Sequence, residues 1–364
     1  MASRTIGVEE EYLLVDGRSG GLRPVNDEVL AAARPAMGES VHLELKRSQV
    51  EASTPVCTTL DQIADELRGL RARLNEAAAR YGSRLAAAGT HPTAPPRERD
   101  FTESSRYLAM ADQYQETASQ MLICGCHVHV GIEDPDLRIG ALNRIRPWLP
   151  TLLALSANSP YWAGDDTGYA SYRTMVFRPW PTAGMPQRFN DYAEYERVVA
   201  TLVAAGAVED ATHLYWYARP SARFPTVEVR IADVCLSVEE AVTVAGLVAA
   251  MVATACQAEL NGSPLAEARP ELLEAAVWRA ARYGLTDRLI DVDGAVLRPA
   301  AETIAALLAT LRPALEAAGD WETVSAGVAR VLAEGTGAER QRAIRRRGGS
   351  AEDVIAYIAR QTAA

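Results

Sequence analysis

Two periods of hydrophobicity alternate along this chain. Apolar residues recur at every second position in the segments 5–15, 41–45 and 49–53, which is the period of a strand; from Leu60 onward, stretches with an apolar residue every third or fourth position mark helices between further strands. In Thr5-Ile-Gly-Val-Glu-Glu-Glu-Tyr-Leu-Leu-Val15, strand geometry sets Ile6, Val8, Glu10, Tyr12 and Leu14 on one face and Glu9 and Glu11 on the other. Val41-His-Leu-Glu-Leu45 and Gln49-Val-Glu-Ala-Ser-Thr-Pro55 place Glu44 and Glu51 on similar pieces, and residues 5 to 55 as a whole read as strands. The stripe Leu60, Ile63, Leu67, Leu70 and Leu74, with Asp61 near its start, predicts a helix over Leu60 to Tyr81. Leu85 to Thr90 reads as a short strand, His91 to Asp100 as a Pro-rich loop, Glu103 to Met121 as a helix, Leu122 to Gly131 as a strand and Leu137 to Ala157 as a helix. Gly164 to Pro186, rich in Gly, Pro, Asp and Thr, reads as an ordered loop suited to cover a site. Pro225 to Asp233 alternates again, with Val227, Val229 and Ile231 facing away from Glu228 and Arg230. The remainder, from Val238 to Leu260 and then near 267–283, 300–317, 321–334, 338–346 and 351–361, is helical.

This layout describes one domain spanning residues 1–364, with a sheet-forming core to residue 235 and a helical part packed on it from 236. Its formal charge of -10 argues against a general nucleic-acid binder, whose affinity rests on neutralising phosphates. The dense basic run from Arg340 to Arg347 reads as a solvated helix face, with a local anion or nucleotide contact as the lesser alternative. The longest uninterrupted apolar stretch, Ala241 to Cys256, falls short of a membrane span and reads as a buried helix; with no secretory signal pattern, a soluble, cytoplasmic protein is expected. Five cysteines without a C-x-x-C pair read as reduced core thiols. Lys46 is the one lysine among 37 basic residues, so no phosphate-cradling G-x-x-x-x-G-K-[ST] loop can be written, and G-x-G-x-x-G is missing as well.

The candidate chemistry lies in the acids. A single strand with alternate glutamates is ordinarily a solvent face, but three separated strands with glutamates among strongly apolar flanks need neutralisation by Mg²⁺ or arginine. Hard oxygen ligands suit Mg²⁺, which commonly bridges to nucleotide phosphates. His127 and His129 share a strand face and either contact a substrate or nucleotide or are satisfied within the sheet; the remaining His42, His91 and His213 are not spaced to complete a zinc hydrolase. Arg173, Arg178 and Arg230 supply guanidinium groups that pair with carboxylate or phosphate, Arg230 standing two residues from Glu228.

Taken together, Gly7-Val-Glu-Glu-Glu-Tyr12, Gln49-Val-Glu-Ala-Ser-Thr-Pro55, Gly125-Cys-His-Val-His-Val-Gly131, Leu155-Ser-Ala-Asn-Ser-Pro160, Thr167-Gly-Tyr-Ala-Ser171, Val227-Glu-Val-Arg230, Trp278-Arg-Ala-Ala-Arg282 and Gly337-Ala-Glu-Arg-Gln-Arg342 resemble the type 2 glutamate-cysteine ligase family of carboxylate-amine ligases. Each motif is weak alone; their number and order, from residue 4 to the C-terminus, carry the match. The resemblance implies an α+β fold like glutamine synthetase, a curved antiparallel sheet forming an active-site funnel flanked by helices. It implies ATP and Mg²⁺, with Glu9, Glu11, Glu51 and Glu228, and also Glu44, as metal-facing carboxylates. His127, His129, Arg178 and Arg230 are implied at the nucleotide, and Arg173, Arg230 and His127 at the reacting groups. The reaction implied is amide formation through an acyl phosphate, between a carboxylate such as L-glutamate and an amine such as L-cysteine; a homodimer is carried over with it. Lys46-Arg-Ser48 and Ala52 depart from the usual pattern and bear on the choice of acceptor. A ligase of secondary metabolism, a guanidino or phosphoryl kinase, and a non-catalytic nucleotide-binding protein stay as alternatives.

Overall fold

In the computed structural model, which describes residues 4–364, the alternating segments are strands and the three-to-four periodic ones are helices. The strands are β1 (Ile6–Asp16), β2 (Val41–Leu43), β3 (Gln49–Ser53), β4 (Ser83–Ala86), β5 (Gly125–Gly131), β6 (Tyr161–Trp162), β7 (Asp165–Asp166), β8 (Ala218–Pro220), β9 (Thr226–Asp233), β10 (Arg288–Asp291) and β11 (Val296–Pro299). The helices are α1 (Asn26–Met37), α2 (Leu60–Ala79), α3 (Ser105–Gln120), α4 (Pro135–Ile145), α5 (Leu149–Ser156), α6 (Tyr172–Phe177), α7 (Tyr192–Ala204), α8 (Val238–Leu260), α9 (Pro270–Tyr283), α10 (Ala300–Ala318), α11 (Trp321–Glu334), α12 (Gly337–Arg346) and α13 (Ala351–Thr362).

One antiparallel sheet organises the molecule, in the order β2-β3-β1-β5-β9-β8. The long β1 is shared along one edge: its first half, Ile6 to Glu10, pairs with β5 and its second, Leu13 to Asp16, with β4. Ile6, Val8, Tyr12 and Leu14 are at most 1 % exposed, as the alternation requires for a face covered by helices. The cover includes α2 and α8, both of which touch β1, while α10 and α11 pack on the outer side of α8 and α13 packs on β4. At 23 residues α8 exceeds the apolar stretch read from sequence and is long and apolar enough to cross a bilayer; here it is the central core helix, with Ala241 to Val252 buried throughout.

Three readings are corrected. Residues 5 to 55 are not all strand, because Asn26–Met37 forms α1, burying Val29, Leu30, Ala33 and Met37 at helical spacing. The helix expected over Leu137 to Ala157 is broken at Arg146–Trp148, where Pro147 and Pro150 cannot donate to a continuous hydrogen-bond ladder. The loop Gly164 to Pro186 contains α6, and its first part is pinned: Ala170 N–H donates to the Ala281 carbonyl at 2.8 Å and Arg342 holds Asp166. Two elements lie outside the sequence reading: the β10–β11 hairpin, whose side chains are mostly exposed, and α7, where Tyr192, Tyr195, Val198, Val199 and Leu202 do recur at helical spacing and pack on the core. In the C-terminal part, α9 to α13 begin and end within three residues of expectation.

Candidate active site

Register sets the site. Cross-strand partners in an antiparallel sheet share a face, so each row of partners extends the face chosen by Glu9 and Glu11. One row runs His42, Glu51, Glu11; the next Ser53, Glu9, His127; a third joins Gly7, His129, Glu228 and Arg219. A β-bulge in β9 puts Arg230 and Ile231 opposite the one residue His127, which turns the Arg230 side chain toward it. These rows floor a cavity of about 1010 Å³, walled by Arg106, Tyr107 and Met110 of α3, Phe177 and Trp180, Tyr215, and the tip of the β8–β9 hairpin.

The structure brings Glu9, Glu11, Glu44, Glu51, Glu228, His127, His129 and Arg230 together. Their ligand atoms form three overlapping groups, each within 4.8 Å: Glu9, His129 and Glu228; Glu9, Glu51 and His127; and Glu11, Glu44 and Glu51. His127 Nδ1 lies 3.3 Å from Glu9 Oε2, and His129 Nδ1 lies 3.0 Å from Thr226 Oγ1. Glu11 accepts from the Gly125 N–H at 2.6 Å. Glu228 is gripped by two guanidinium groups, Arg219 Nε at 2.9 Å and Arg230, which also approaches His127 Nδ1 at 3.4 Å.

The electrostatics divide the acids into two kinds. Burial would raise Glu228, but Arg230 and Arg219 override it and hold the carboxyl far below its usual range. Burial is also the largest influence on Glu9, and the two imidazoles reverse it, leaving Glu9 well below normal. Glu51 has no such partner: burial, then the charges of Glu9, Glu44 and Glu11, push it well above the usual value. Burial and Glu11 raise Glu44 to about 8. Tyr107 is raised for the same reasons, burial first and then Glu44 and Glu51. His127 is lowered by burial and Arg230, whereas His129, despite burial, is raised by Glu9 and Glu228.

The acids Glu11, Glu44 and Glu51 thus form a set of oxygen donors whose full ionisation the local arginines do not offset. His129 Nε2 is buried, 3.3 Å from Glu9 Oε1, and without an aligned hydrogen bond. An oxygen-only group beside two imidazole-containing groups fits divalent cations, the first of them Mg²⁺.

Two sequence-read arginines behave differently. Arg178 is not in the cavity wall: its half-exposed side chain faces Glu274 at 3.4 Å. Arg173 reaches the cavity floor, yet its Nη1 and Nη2 donate to the Ile231 and Arg230 carbonyls at 3.2 Å each, so it props the bulge that aims Arg230. Gly125 makes room for it, since a Cβ there would run into the Arg173 guanidinium and lie 3.1 Å from His127 Nε2. Sequence reasoning missed Arg219, although period two from Tyr215 and Tyr217 points to it, and missed Arg106 and Tyr107, whose approach depends on where α3 docks.

Comparison with known proteins agrees over nearly the whole chain. Residues 5–361 match the model of glutamate-cysteine ligase family 2 (GCS2). A Rhodopirellula baltica protein provisionally named glutamate–cysteine ligase 2 is 43 % identical over 363 residues, covering 98 % of this chain and 96 % of its own. Among solved structures, the glutamate–cysteine ligase of Francisella tularensis in complex with AMP superposes with a TM-score of 0.74 at 14 % identity, covering 100 % of this chain and 89 % of that one. A bifunctional glutathione synthetase from Pasteurella multocida gives 0.73 at 16 % identity, covering 99 % and 52 %. These two share the fold.

Proposed function

The chain belongs to glutamate–cysteine ligase family 2, and from that premise we propose that it is an ATP-dependent ligase joining the γ-carboxyl of L-glutamate to the amine of L-cysteine or a related acceptor through an acyl phosphate. The observation that carries this reading is the meeting of five glutamates, two histidines and Arg230 on one sheet face at the bottom of a substrate-sized cavity. Mg²⁺, held by Glu9, Glu11, Glu44, Glu51 and Glu228 with His127 and His129, would supply charge neutralisation for the phosphates of ATP.

The chain's own groups do the rest. Arg230, fixed by Glu228 and propped through Arg173, offers a guanidinium where negative charge gathers on the transferring phosphoryl oxygens. A carboxylate is a poor acyl donor; phosphorylated, it has a leaving group, and the amine displaces phosphate to form the amide. Phe177, Trp180, Met110 and Tyr215 give the cavity an apolar wall that limits water around so reactive a species. That wall also favours a second reading of the acceptor, an amine with a larger apolar body than cysteine.

The test is ADP release from purified protein with ATP and Mg²⁺, first with L-glutamate, then with L-cysteine added, then with a panel of other amines and carboxylates. Release requiring both glutamate and cysteine, and falling by roughly 10²-fold or more in Glu51→Gln, supports the ligase as stated. Release with another pair replaces the substrates. No release with any pair despite ATP binding overturns the catalytic reading.

A further inference from the structure

Lys46, the chain's one lysine, lies two residues from Glu44 and is fully buried. Among the described residues no carboxylate lies within ion-pairing distance of it, and Glu98 and Asp100 act on its ammonium only from farther away. Its ammonium instead meets the Glu98 carbonyl, the Ser119 carbonyl at 3.5 Å and the face of Phe101, 3.6 Å from the ring centroid. Ser119 belongs to the last turn of α3, the end of a helix that attracts a cation. A buried, unpaired charge is costly to keep, and a hydrocarbon would fill the same space without that cost.

What the charge holds together is specific. Lys46 bridges to Phe101 as a strand partner, Arg47 N–H donates to the Asp100 carbonyl at 3.0 Å, and Thr102 N–H donates to the Leu45 carbonyl at 3.0 Å. Thr102 Oγ1 then donates to the carbonyl of Glu44 itself, and Asn26 of α1 binds both the Lys46 carbonyl at 3.2 Å and Thr102 Oγ1 at 2.8 Å. The other end of α3 returns to the same strand through Tyr107, whose hydroxyl donates to the Leu43 carbonyl at 2.8 Å. Glu44 follows the end of β2, where no sheet ladder fixes it. A compact ammonium with three donors can close this carbonyl pocket, whereas the planar guanidinium used at the other 36 basic positions demands more room.

We propose that Lys46 is a positioning residue that clamps the β2–β3 turn to the end of α3 and so holds Glu44 against Glu11 and Glu51 for the cation they share. This rests on the reading of Glu44 as a cation ligand given above.

The experiment compares the full-length wild type with Lys46→Met, Glu44→Gln, the double variant and Thr102→Val. Mg²⁺ dependence of ADP formation is measured beside calorimetric titration of Mn²⁺ into protein without nucleotide. Lys46→Met is expected to raise half-saturating Mg²⁺ about tenfold, with excess Mg²⁺ recovering much of the lost rate and Mn²⁺ binding weakened in parallel. The double variant should be no worse than Glu44→Gln, and Thr102→Val should move the same way by less. A Lys46→Met enzyme that loses melting temperature or rate equally at all Mg²⁺ concentrations, or whose effect multiplies with that of Glu44→Gln, overturns the proposal. If Lys46→Met does not fold, an unchanged Mg²⁺ dependence in Thr102→Val overturns it. A Glu44→Gln enzyme with unaltered Mg²⁺ and Mn²⁺ behaviour instead removes the cation-ligand reading, and the proposal with it.

Discussion

Replacing Arg71 by methionine should destabilise the protein by about 3–5 kcal/mol. Arg71 on α2 and Glu10 on β1 form a bidentate pair, Nε to Oε2 at 3.0 Å and Nη2 to Oε1 at 2.6 Å, with side chains 2 % and 0 % exposed. The same guanidinium donates to the carbonyls of Cys235 at 2.9 Å and Leu236 at 3.2 Å, tying β1 to the segment after β9. Methionine keeps most of the volume but leaves the Glu10 carboxylate in the core with the Tyr12 hydroxyl, at 2.5 Å, as its remaining donor. The loss is therefore the cost of an uncompensated buried charge and not the net worth of the pair. For 364 residues, an unfolding entropy of roughly 2 cal/mol/K per residue converts this into a fall in Tm of roughly 4–7 °C. Urea unfolding followed by circular dichroism measures it, with the second variant Glu10→Gln/Arg71→Met beside it. Neutralising Glu10 should recover about half the loss or more, because the unpaired charge is then gone. A single variant within about 1 kcal/mol of wild type, or a double variant no better than the single, would refute the reasoning.

Three further outcomes are expected. Because the folded protein binds a proton at Glu44 up to about pH 8 while an unfolded glutamate releases it near the ordinary value of 4.5, stability without metal should decline as pH rises between those values. Added Mg²⁺ should oppose the decline, and Glu44→Gln should flatten it; a melting series from pH 5 to 9 that is level for wild type contradicts this. Arg178→Ala should leave ADP formation within about twofold and stability within about 1 kcal/mol, since its half-exposed pair with Glu274 is screened by water; a large kinetic loss would restore it to the site. Gly125→Ala should cut ADP formation by roughly 10²-fold, because the new methyl displaces Arg173 and His127, and normal turnover would show that those side chains tolerate displacement.

Sequence alone determined which face of β1 carries the chemistry. With a period of two there is no other way to bury Ile6, Val8, Tyr12 and Leu14, so Glu9 and Glu11 emerge together, and the same rule fixed Glu51, Glu228, His127 and His129. The length and spacing of α2 and of α9 to α13 were legible for the same local reason. Tertiary structure decided what the pattern leaves free. Glu10 looks like its neighbours in sequence, yet it serves the core because α2 brings Arg71 to it from 61 residues away. Arg173 and Arg178 looked alike as candidates on one segment; one turned inward under the β9 bulge and the other outward to Glu274. The bulge is a matter of pairing between strands a hundred residues apart, which no local period encodes. Arg219, Lys46 and the docking of α3 belong to the same class. The face of a strand is fixed by its own backbone geometry, whereas the partner of a buried charge is fixed by which elements pack together.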